Sequence, residues 1–276
     1  MRQISEELKS AILQHKEEEF NALLGSSVST DLVYQLSDLR ANVIRQIPIE
    51  KTERILEIGS ECGAISSYLK DKAGELVCIE PSSAMMELNQ HRNAGTENIS
   101  YICKDAKEAL KELEENSFDK IFMIGLDLEL DLTIPSFAAS LLKKGGQLIL
   151  AADNKYGLQF FAGNQDEDGR GYFPFEADAQ QDSFRLLSHK EIEEVMQAAN
   201  MAKYDFYYPY PDYRYTTVIY SDQYLPQENE LKRSWRNMSK ERMVLFDEEG
   251  AFRSICKDGL FPVFTNSFLV IGEKHE

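Results

Sequence analysis

The sequence has 276 residues, of which 43% are hydrophobic, and this is enough for one large domain with a buried core. Its formal net charge is −17, from 47 acidic and 30 basic residues. This balance argues against binding nucleic acid or anionic lipid, because both need clustered Lys and Arg.

The four cysteines lack a Cys-x-x-Cys spacing and the four histidines are scattered, so we expect reduced thiols, a cytoplasmic protein and no metal site. No window approaches the roughly 18 apolar residues of a membrane span, so we expect no membrane insertion. The first 50 residues predict an N-terminal helical cap. Apolar residues spaced for one helix face run through residues 5–24, and a second such pattern runs through residues 30–46. Arg40, in the second pattern, is a candidate for binding a carboxylate.

Residues 54–80 predict a strand, a glycine turn, a helix and a second strand. The apolar run of residues 54–58 suits a buried parallel strand, and Gly59 and Gly63 bracket a tight turn. The helix after the turn offers free N–H groups and the positive end of its dipole. Glu80 ends the second strand, where an acid can bind the hydroxyl groups of a ribose. The segment therefore predicts a site for a nucleoside cofactor.

The turn lacks the dinucleotide-binding pattern Gly-x-Gly-x-x-Gly, because Glu61 stands in place of the central glycine. A pyrophosphate would meet like charge at Glu61, and Glu57 also favours a cation. The pattern Glu-x-Gly-x-x-x-Gly, followed by Glu80 and then Asp105, resembles the class I S-adenosylmethionine (SAM)-dependent methyltransferases. The resemblance implies that Glu57 lies near the methionine end of SAM, that Glu80 binds the ribose, and that Asp105 meets the adenine amino group. The predicted cofactor-binding residues are Glu57, Gly59, Glu61, Gly63, Glu80, Pro81, Asp105 and Ala106.

Position 61 departs from the resemblance, because the family usually has glycine there. The side chain of Glu61 can crowd the methionine moiety, or it can reach the ammonium group or the sulfonium of that moiety. We expect a negative φ at this residue, because glutamate is tolerated where φ stays negative. With a negative φ at Glu61 the turn keeps its shape, and a site that binds the cofactor is favoured over one that does not.

Beyond residue 80 the chain continues to alternate strands and helices, which predicts a parallel sheet with right-handed crossovers. A last strand within residues 262–272 suits the antiparallel strand that class I methyltransferases insert between the fifth and sixth strands. The predicted fold class is α/β, with a Rossmann-like, seven-stranded, mostly parallel sheet, a C-terminal antiparallel strand, helices on both faces and the N-terminal cap. The predicted domains are a cap at residues 1–50 and a methyltransferase domain at residues 51–276 with insertions at about 153–187 and 222–260.

Polar residues at the carboxyl ends of the later strands are candidates for chemistry, because ligands of open α/β sheets bind there. Asp127 follows the fourth strand and Asp153 the fifth, and either carboxylate is a candidate general base. Asp153 and Asn154 can equally cap the next turn, and tyrosines are more often packing residues than ligands. The predicted substrate-binding residues are Arg40, Asn154, Tyr156, Tyr210, Asp212 and Tyr213.

Loop peptides outside the sheet extend the resemblance over nearly the whole chain. They lie at residues 34–44, 153–163, 208–213 and 266–268. Together they look like methyltransferases found alone or joined to glycosyltransferases in bacterial cell-surface polysaccharide loci. This likeness implies methyl transfer from SAM to a hydroxyl or carboxyl oxygen of a small molecule or surface-glycan precursor, with S-adenosylhomocysteine as product. It also admits a glycosyltransferase as a partner or fused domain.

Two alternatives stay open at this point. The first is an NAD-dependent oxidoreductase or sugar epimerase, which Glu61 and the late antiparallel strand oppose. The second is a non-catalytic interaction module with a degenerate methyltransferase fold, for which Glu61 is the best support.

Overall fold

A computed structural model of the chain describes residues 4–25, 29–125, 133–165, 173–175, 186–231 and 243–275. The strands are β1 (Arg54–Ile58), β2 (Glu75–Ile79), β3 (Ile99–Ile102), β4 (Phe118–Ile124), β5 (Leu142–Asp153), β6 (Met201–Tyr210), β7 (Val218–Ser221) and β8 (Ser267–Lys274). The α-helices are α1 (Glu6–Gln14), α2 (Phe20–Leu24), α3 (Thr30–Leu36), α4 (Ser66–Lys70), α5 (Ser83–Arg92), α6 (Ala106–Leu110), α7 (Ile134–Leu141), α8 (Leu158–Phe161), α9 (His189–Ala198), α10 (Glu248–Lys257) and α11 (Phe261–Phe264). Short 3-10 helices lie at Glu17–Glu19 and Asp38–Val43.

These strands form one sheet in the order β3-β2-β1-β4-β5-β8-β6-β7. The pairs among β1 to β5 are parallel, whereas β8 lies antiparallel between β5 and β6, with Leu150 opposite Val270. The predicted fold class is confirmed, including the late antiparallel strand. The described sheet has one strand more than the predicted seven, the short edge strand β7. Strand β7 begins only at Val218, because the side chain of Asp212 accepts the N–H groups of Arg214 and Tyr215 and holds them in a turn.

The sheet is buried on both faces, as a parallel sheet requires. Alternate residues of β1 show this: Leu56 and Ile58 pack into one apolar cluster, and Ile55 into the other. Helices α6, α7, α9 and α10 cover the first face, and α4 with the segment around Val43 covers the second. A ligand is therefore expected at the ends of these strands and at the loops that follow them.

The N-terminal segment is more broken than the two long helices predicted from its apolar spacing. The pattern over residues 30–46 is interrupted at Ser37, whose backbone is extended and whose hydroxyl accepts the N–H of Leu39 to start the 3-10 helix. A third apolar cluster packs α1, α2 and α3 against the glycine turn at Cys62 and against α5. The segment therefore contacts the turn itself. The predicted domain limits and insertions remain predictions.

Among the described residues, no helix combines the length and the apolar character that crossing a bilayer requires.

Candidate functional site

The turn between β1 and α4 is a tightly packed loop. Gly63 has φ +84°, and a Cβ at this position would lie 2.5 Å from Oδ1 of Asn89, so only glycine fits without displacing that side chain. The N–H groups of Gly59 and Ser60 both donate to the carbonyl oxygen of Ile79. The turn is thus fixed to the end of β2 and to α5 beneath it.

Glu61, at the tip of this turn, has φ +45°, so the expectation of a negative φ is wrong. A left-handed backbone at a non-glycine residue costs about 1–2 kcal/mol and persists where the surroundings hold it. Two contacts do so here. Its N–H donates to Oε2 of Glu80 over 3.0 Å, and its carboxylate lies 3.6 Å from Nη2 of Arg40.

Glu80 occupies the end of β2, as predicted, and is buried. Its second oxygen accepts the N–H of Ser82 over 2.9 Å, so one carboxylate connects the glycine turn to the start of α5. Burial raises the pKa of Glu80, and the two backbone N–H groups counteract that rise. Ribose binding by this carboxylate remains a prediction, although its position suits that role.

Glu57 lies beneath the turn rather than on its surface. It is 3% exposed, and its Oε2 accepts a hydrogen bond from Ser66 Oγ over 2.5 Å. The amide of Asn89 donates to that same Ser66 oxygen over 3.0 Å. Burial raises the pKa of Glu57 to about 7, against the opposing effect of Ser66. The side chain therefore supports the turn from below, and direct contact with the methionine end of SAM stays a prediction.

Asp105 follows β3 and caps α6, where its side chain accepts the N–H of Lys107 over 2.9 Å. It is exposed, as is Pro81, and Ala106 is half-buried. Because β1, β2 and β3 are parallel neighbours, the turn, Glu80 and Asp105 lie in that order along one edge of the sheet. This is the order that the resemblance requires for methionine, ribose and adenine.

A buried ion cluster lies at the end of β5. Arg214 donates to both oxygens of Asp153, with Nη1 to Oδ1 at 2.9 Å, and its Nη1 also reaches Asp212 over 3.3 Å. The amide of Gln159 adds a contact to Asp153 over 3.2 Å. Both oxygens of Asp153 are thus bound by a guanidinium, and its catalytic role remains a prediction. Asp127 lies outside the described residues.

The sequence did not point to Arg214, which is 8% exposed and central to this cluster. The available signal was a single arginine within the run Tyr213 to Tyr215, placed directly after Asp212. An arginine among aromatic residues is a common buried ion-pair partner, because its flat guanidinium stacks on rings. Its guanidinium carbon lies 4.4 Å from the centre of the Tyr213 ring.

Asn154 caps the turn that follows β5, which was one of its two predicted roles. Its Oδ1 accepts the N–H of Tyr156 over 3.0 Å, and its amide donates to the carbonyl oxygens of Val263 and Thr265. Both hydrogens of the Asn154 amide are therefore used within the protein. Substrate binding by Asn154 remains a prediction. Tyr156 itself is exposed.

The predicted tyrosines are packed at the same edge of the sheet. Tyr213 is buried against Gly125 at the end of β4, where a Cβ would lie 2.8 Å from its ring. Tyr210 is buried beside Phe252. Burial raises the pKa of Tyr213 well above its ordinary value, so its hydroxyl stays protonated.

Arg40 joins the N-terminal segment to this edge. It is 2% exposed, and its guanidinium carbon lies 3.8 Å from the centre of the Tyr34 ring. The amide of Asn42 donates to the carbonyl oxygen of Thr216 over 2.9 Å. This bond holds the N-terminal segment against the loop of residues 211–217, which joins β6 and β7. Nε and Nη1 of Arg40 have no hydrogen-bond partner within the described ranges. A buried guanidinium with unused donors suggests an anionic ligand.

Residues 55–146 match the family model described as a methyltransferase domain. The matched segment runs from β1 into β5 and is similar to a methyltransferase domain. Phosphoethanolamine N-methyltransferase 1 of Arabidopsis thaliana is 26% identical over 83 residues, which is 30% of this chain and 17% of that protein. The match thus spans about a sixth of the length of that curated relative.

Solved structures of methyltransferases share the fold of this one. A SAM-dependent methyltransferase from Archaeoglobus fulgidus aligns with a TM-score of 0.53 at 18% identity, over 94% of this chain and 97% of that one. Phosphoethanolamine N-methyltransferase 1 of Haemonchus contortus, solved with phosphoethanolamine and S-adenosylhomocysteine, aligns with a TM-score of 0.53 at 15% identity, over 94% of this chain and 49% of that one.

The predicted fold of a class I SAM-dependent methyltransferase is therefore confirmed, and the family match of residues 55–146 agrees with it. The residues present fit this cofactor. A carboxylate stands where the ribose is expected, and Arg40, with its unused donors, lies beside the turn that is predicted to bind the methionine moiety. The nicotinamide-dependent alternative loses its support, because the strand and turn that suggested it fall inside the matched residues.

Proposed function

We propose that this methyltransferase domain is catalytically active and transfers the methyl group of SAM to a hydroxyl or carboxyl oxygen of a small molecule or surface-glycan precursor. The observation that carries the proposal is the set of groups collected at one edge of the sheet. The glycine turn and Glu80, which are joined by a hydrogen bond, support cofactor binding at this edge. Tyr213 and the ion cluster around Arg214 lie at the ends of β4 and β5, where an acceptor would approach.

The chain's own contribution to the reaction is alignment and exclusion of water. SAM supplies a methyl group already activated by a sulfonium, so no metal is required. Glu80 and the turn would fix the adenosyl part. Packing of the N-terminal segment on Cys62 and its hydrogen bond to the loop at Thr216 support the prediction that this segment covers the cofactor cleft. Asp153 and Asp127 remain the candidate bases for an oxygen acceptor.

Nitrogen is the second candidate acceptor atom. It is favoured by the similarity of an 83-residue segment to the plant phosphoethanolamine N-methyltransferases. The ion cluster adds to this, since Asp153 and Asp212 share one arginine and carry a surplus negative charge that would attract an amine. Burial raises the pKa of Asp212, which weakens that charge.

The proposal is tested by binding first and by turnover second. Calorimetry with SAM and S-adenosylhomocysteine should show saturable binding, and NAD should show none. Methyl uptake from labelled SAM is then measured with sugars, nucleotide sugars, carboxylic acids and phosphoethanolamine, and mass spectrometry of the product locates the methylated atom. Absence of SAM binding by the folded protein would favour the non-catalytic module. A glycosyltransferase partner and a cytoplasmic location remain predictions.

A further inference from the structure

The least explained group at the site is the guanidinium of Arg40. It is the largest of the fully buried side chains, and two of its three nitrogens have no hydrogen-bond partner within the described parts of the chain. Leaving such donors unused in a protein interior is unfavourable, and native proteins rarely do so without a ligand or another function. Its third nitrogen, Nη2, lies 3.6 Å from Glu61, which is longer than a hydrogen bond.

Glu61 is the second unusual group, and it lies at the same place. The residue adopts a backbone conformation that glycine would adopt more easily, and it does so at the tip of the turn. Its side chain contacts Arg40 and is 23% exposed, so it is partly accessible to solvent. Its N–H is bound by Glu80, which ties its position to the end of the site where the ribose is expected.

We propose that Arg40 and Glu61 form a paired receptor for the α-amino acid end of SAM. The unused donors of Arg40 bind the carboxylate of the methionine moiety, and the carboxylate of Glu61 binds its ammonium group. The two protein charges thus match the two charges of the ligand, each with the opposite sign. This inference rests on the proposed function, because it assumes that SAM enters this turn.

The pairing also explains why both residues are tolerated. Without ligand, Arg40 and Glu61 partly neutralise each other across 3.6 Å, which lowers the cost of keeping a guanidinium buried. With ligand, each exchanges a long contact for a charge-assisted hydrogen bond. The alternative is that Arg40 binds an anionic group of the acceptor, in which case the cofactor's affinity would not depend on it.

The experiment compares two ligands that differ only at the end in question. S-adenosylhomocysteine carries the amino acid group, whereas 5′-methylthioadenosine has the same thioether and adenosine without it. Their dissociation constants are measured by calorimetry on the full chain and on the variants Arg40→Gln, Arg40→Lys and Glu61→Gln. Arg45→Gln is the matched control, because Arg45 is an exposed arginine of the same segment.

We expect Arg40→Gln and Glu61→Gln each to weaken S-adenosylhomocysteine about ten- to a hundredfold, the range for a lost hydrogen bond to a charged group. Binding of 5′-methylthioadenosine should stay within about twofold of the unsubstituted chain, and this also shows that each variant is folded. Arg40→Lys keeps the positive charge but loses the planar guanidinium. Its dissociation constant for S-adenosylhomocysteine should lie between those of the unsubstituted chain and Arg40→Gln. Arg45→Gln should change neither constant.

Three outcomes overturn the inference. Equal losses for both ligands would mean that the substitutions disturb the turn as a whole. Unchanged binding of S-adenosylhomocysteine in Arg40→Gln would assign Arg40 to the acceptor or to packing. Tighter binding in Glu61→Gln would mean that the glutamate crowds the ligand. If the unsubstituted chain binds neither ligand, the proposed function fails instead, and the two failures are thereby distinguished.

Discussion

Replacement of Gly63 by alanine should lower the free energy of unfolding by more than the same change at Gly95, another glycine with a left-handed backbone conformation. Gly63 has φ +84° and Gly95 has φ +82°, so both positions impose the same backbone conformation on the new residue. At Gly95 a Cβ would meet nothing within 4 Å, whereas at Gly63 it would lie 2.5 Å from Oδ1 and 2.8 Å from Cγ of Asn89. The pair therefore separates backbone strain from the clash.

The magnitudes follow from these contacts. Alanine at either position costs about 1–2 kcal/mol for the left-handed conformation. At Gly63 the amide of Asn89 must also move, which breaks its buried hydrogen bond to Ser66 at about 1–3 kcal/mol. Ser66 in turn holds Glu57, so the loss extends to the network beneath the turn. We expect a destabilisation of about 2–5 kcal/mol for Gly63→Ala and about 1–2 kcal/mol for Gly95→Ala.

The assay is urea unfolding followed by circular dichroism and tryptophan fluorescence, with both variants measured beside the unsubstituted chain. The change in unfolded-state entropy from glycine to alanine is common to both variants and cancels in their difference. Equal losses of stability would refute the reasoning, because they would show that Asn89 gives way without cost and that the polar network does not hold the turn.

Three further predictions concern charged residues. The pKa of Glu57 in the folded state, about 7, exceeds its ordinary value of 4.5, so the folded state keeps a proton that the unfolded state releases. The free energy of unfolding should therefore fall by up to about 3 kcal/mol as the pH rises from 4.5 to about 7. Urea titrations at a series of pH values should show a smaller fall for Glu57→Gln. Arg214→Met leaves the buried carboxylate of Asp153 without its ion-pair partner and should lower the free energy of unfolding in urea by about 3–5 kcal/mol. As the control, Lys203→Gln removes an exposed ion pair and should leave the urea midpoint unchanged. Glu80→Gln should weaken S-adenosylhomocysteine about tenfold or more by calorimetry, and unchanged affinity would contradict a ribose contact.

The elements around the cofactor turn could be predicted because their signals are local. The apolar run of residues 54–58, the two glycines after it and the acid at Glu80 all lie within one short segment. Each signal follows from a short-range rule on periodicity, turn geometry or strand ends. The structure places that segment as expected, with β1 and β2 paired in parallel.

The ion cluster could not be predicted in the same way, because its members are distant in sequence. Asp153 and Arg214 are 61 positions apart and follow β5 and β6, two strands that are separated in the sheet by β8. Arg40 was expected within a regular helix, where its side chain could have faced solvent. The break at Ser37 changes the direction of the chain and turns Arg40 inward, and no periodicity rule specifies that rotation.

Glu61 is the residue on which the two surviving interpretations differ. A degenerate turn would be expected to relax, since a non-glycine residue with positive φ has no reason to stay there once ligand binding is lost. Glu61 is instead fixed from two sides, by Glu80 through its N–H and by Arg40 through its carboxylate. Strain that is compensated by two other residues of the same site is typical of a functional arrangement. These two contacts support the prediction of a cofactor site adapted to glutamate, and calorimetry with S-adenosylhomocysteine decides between that site and one that glutamate disables.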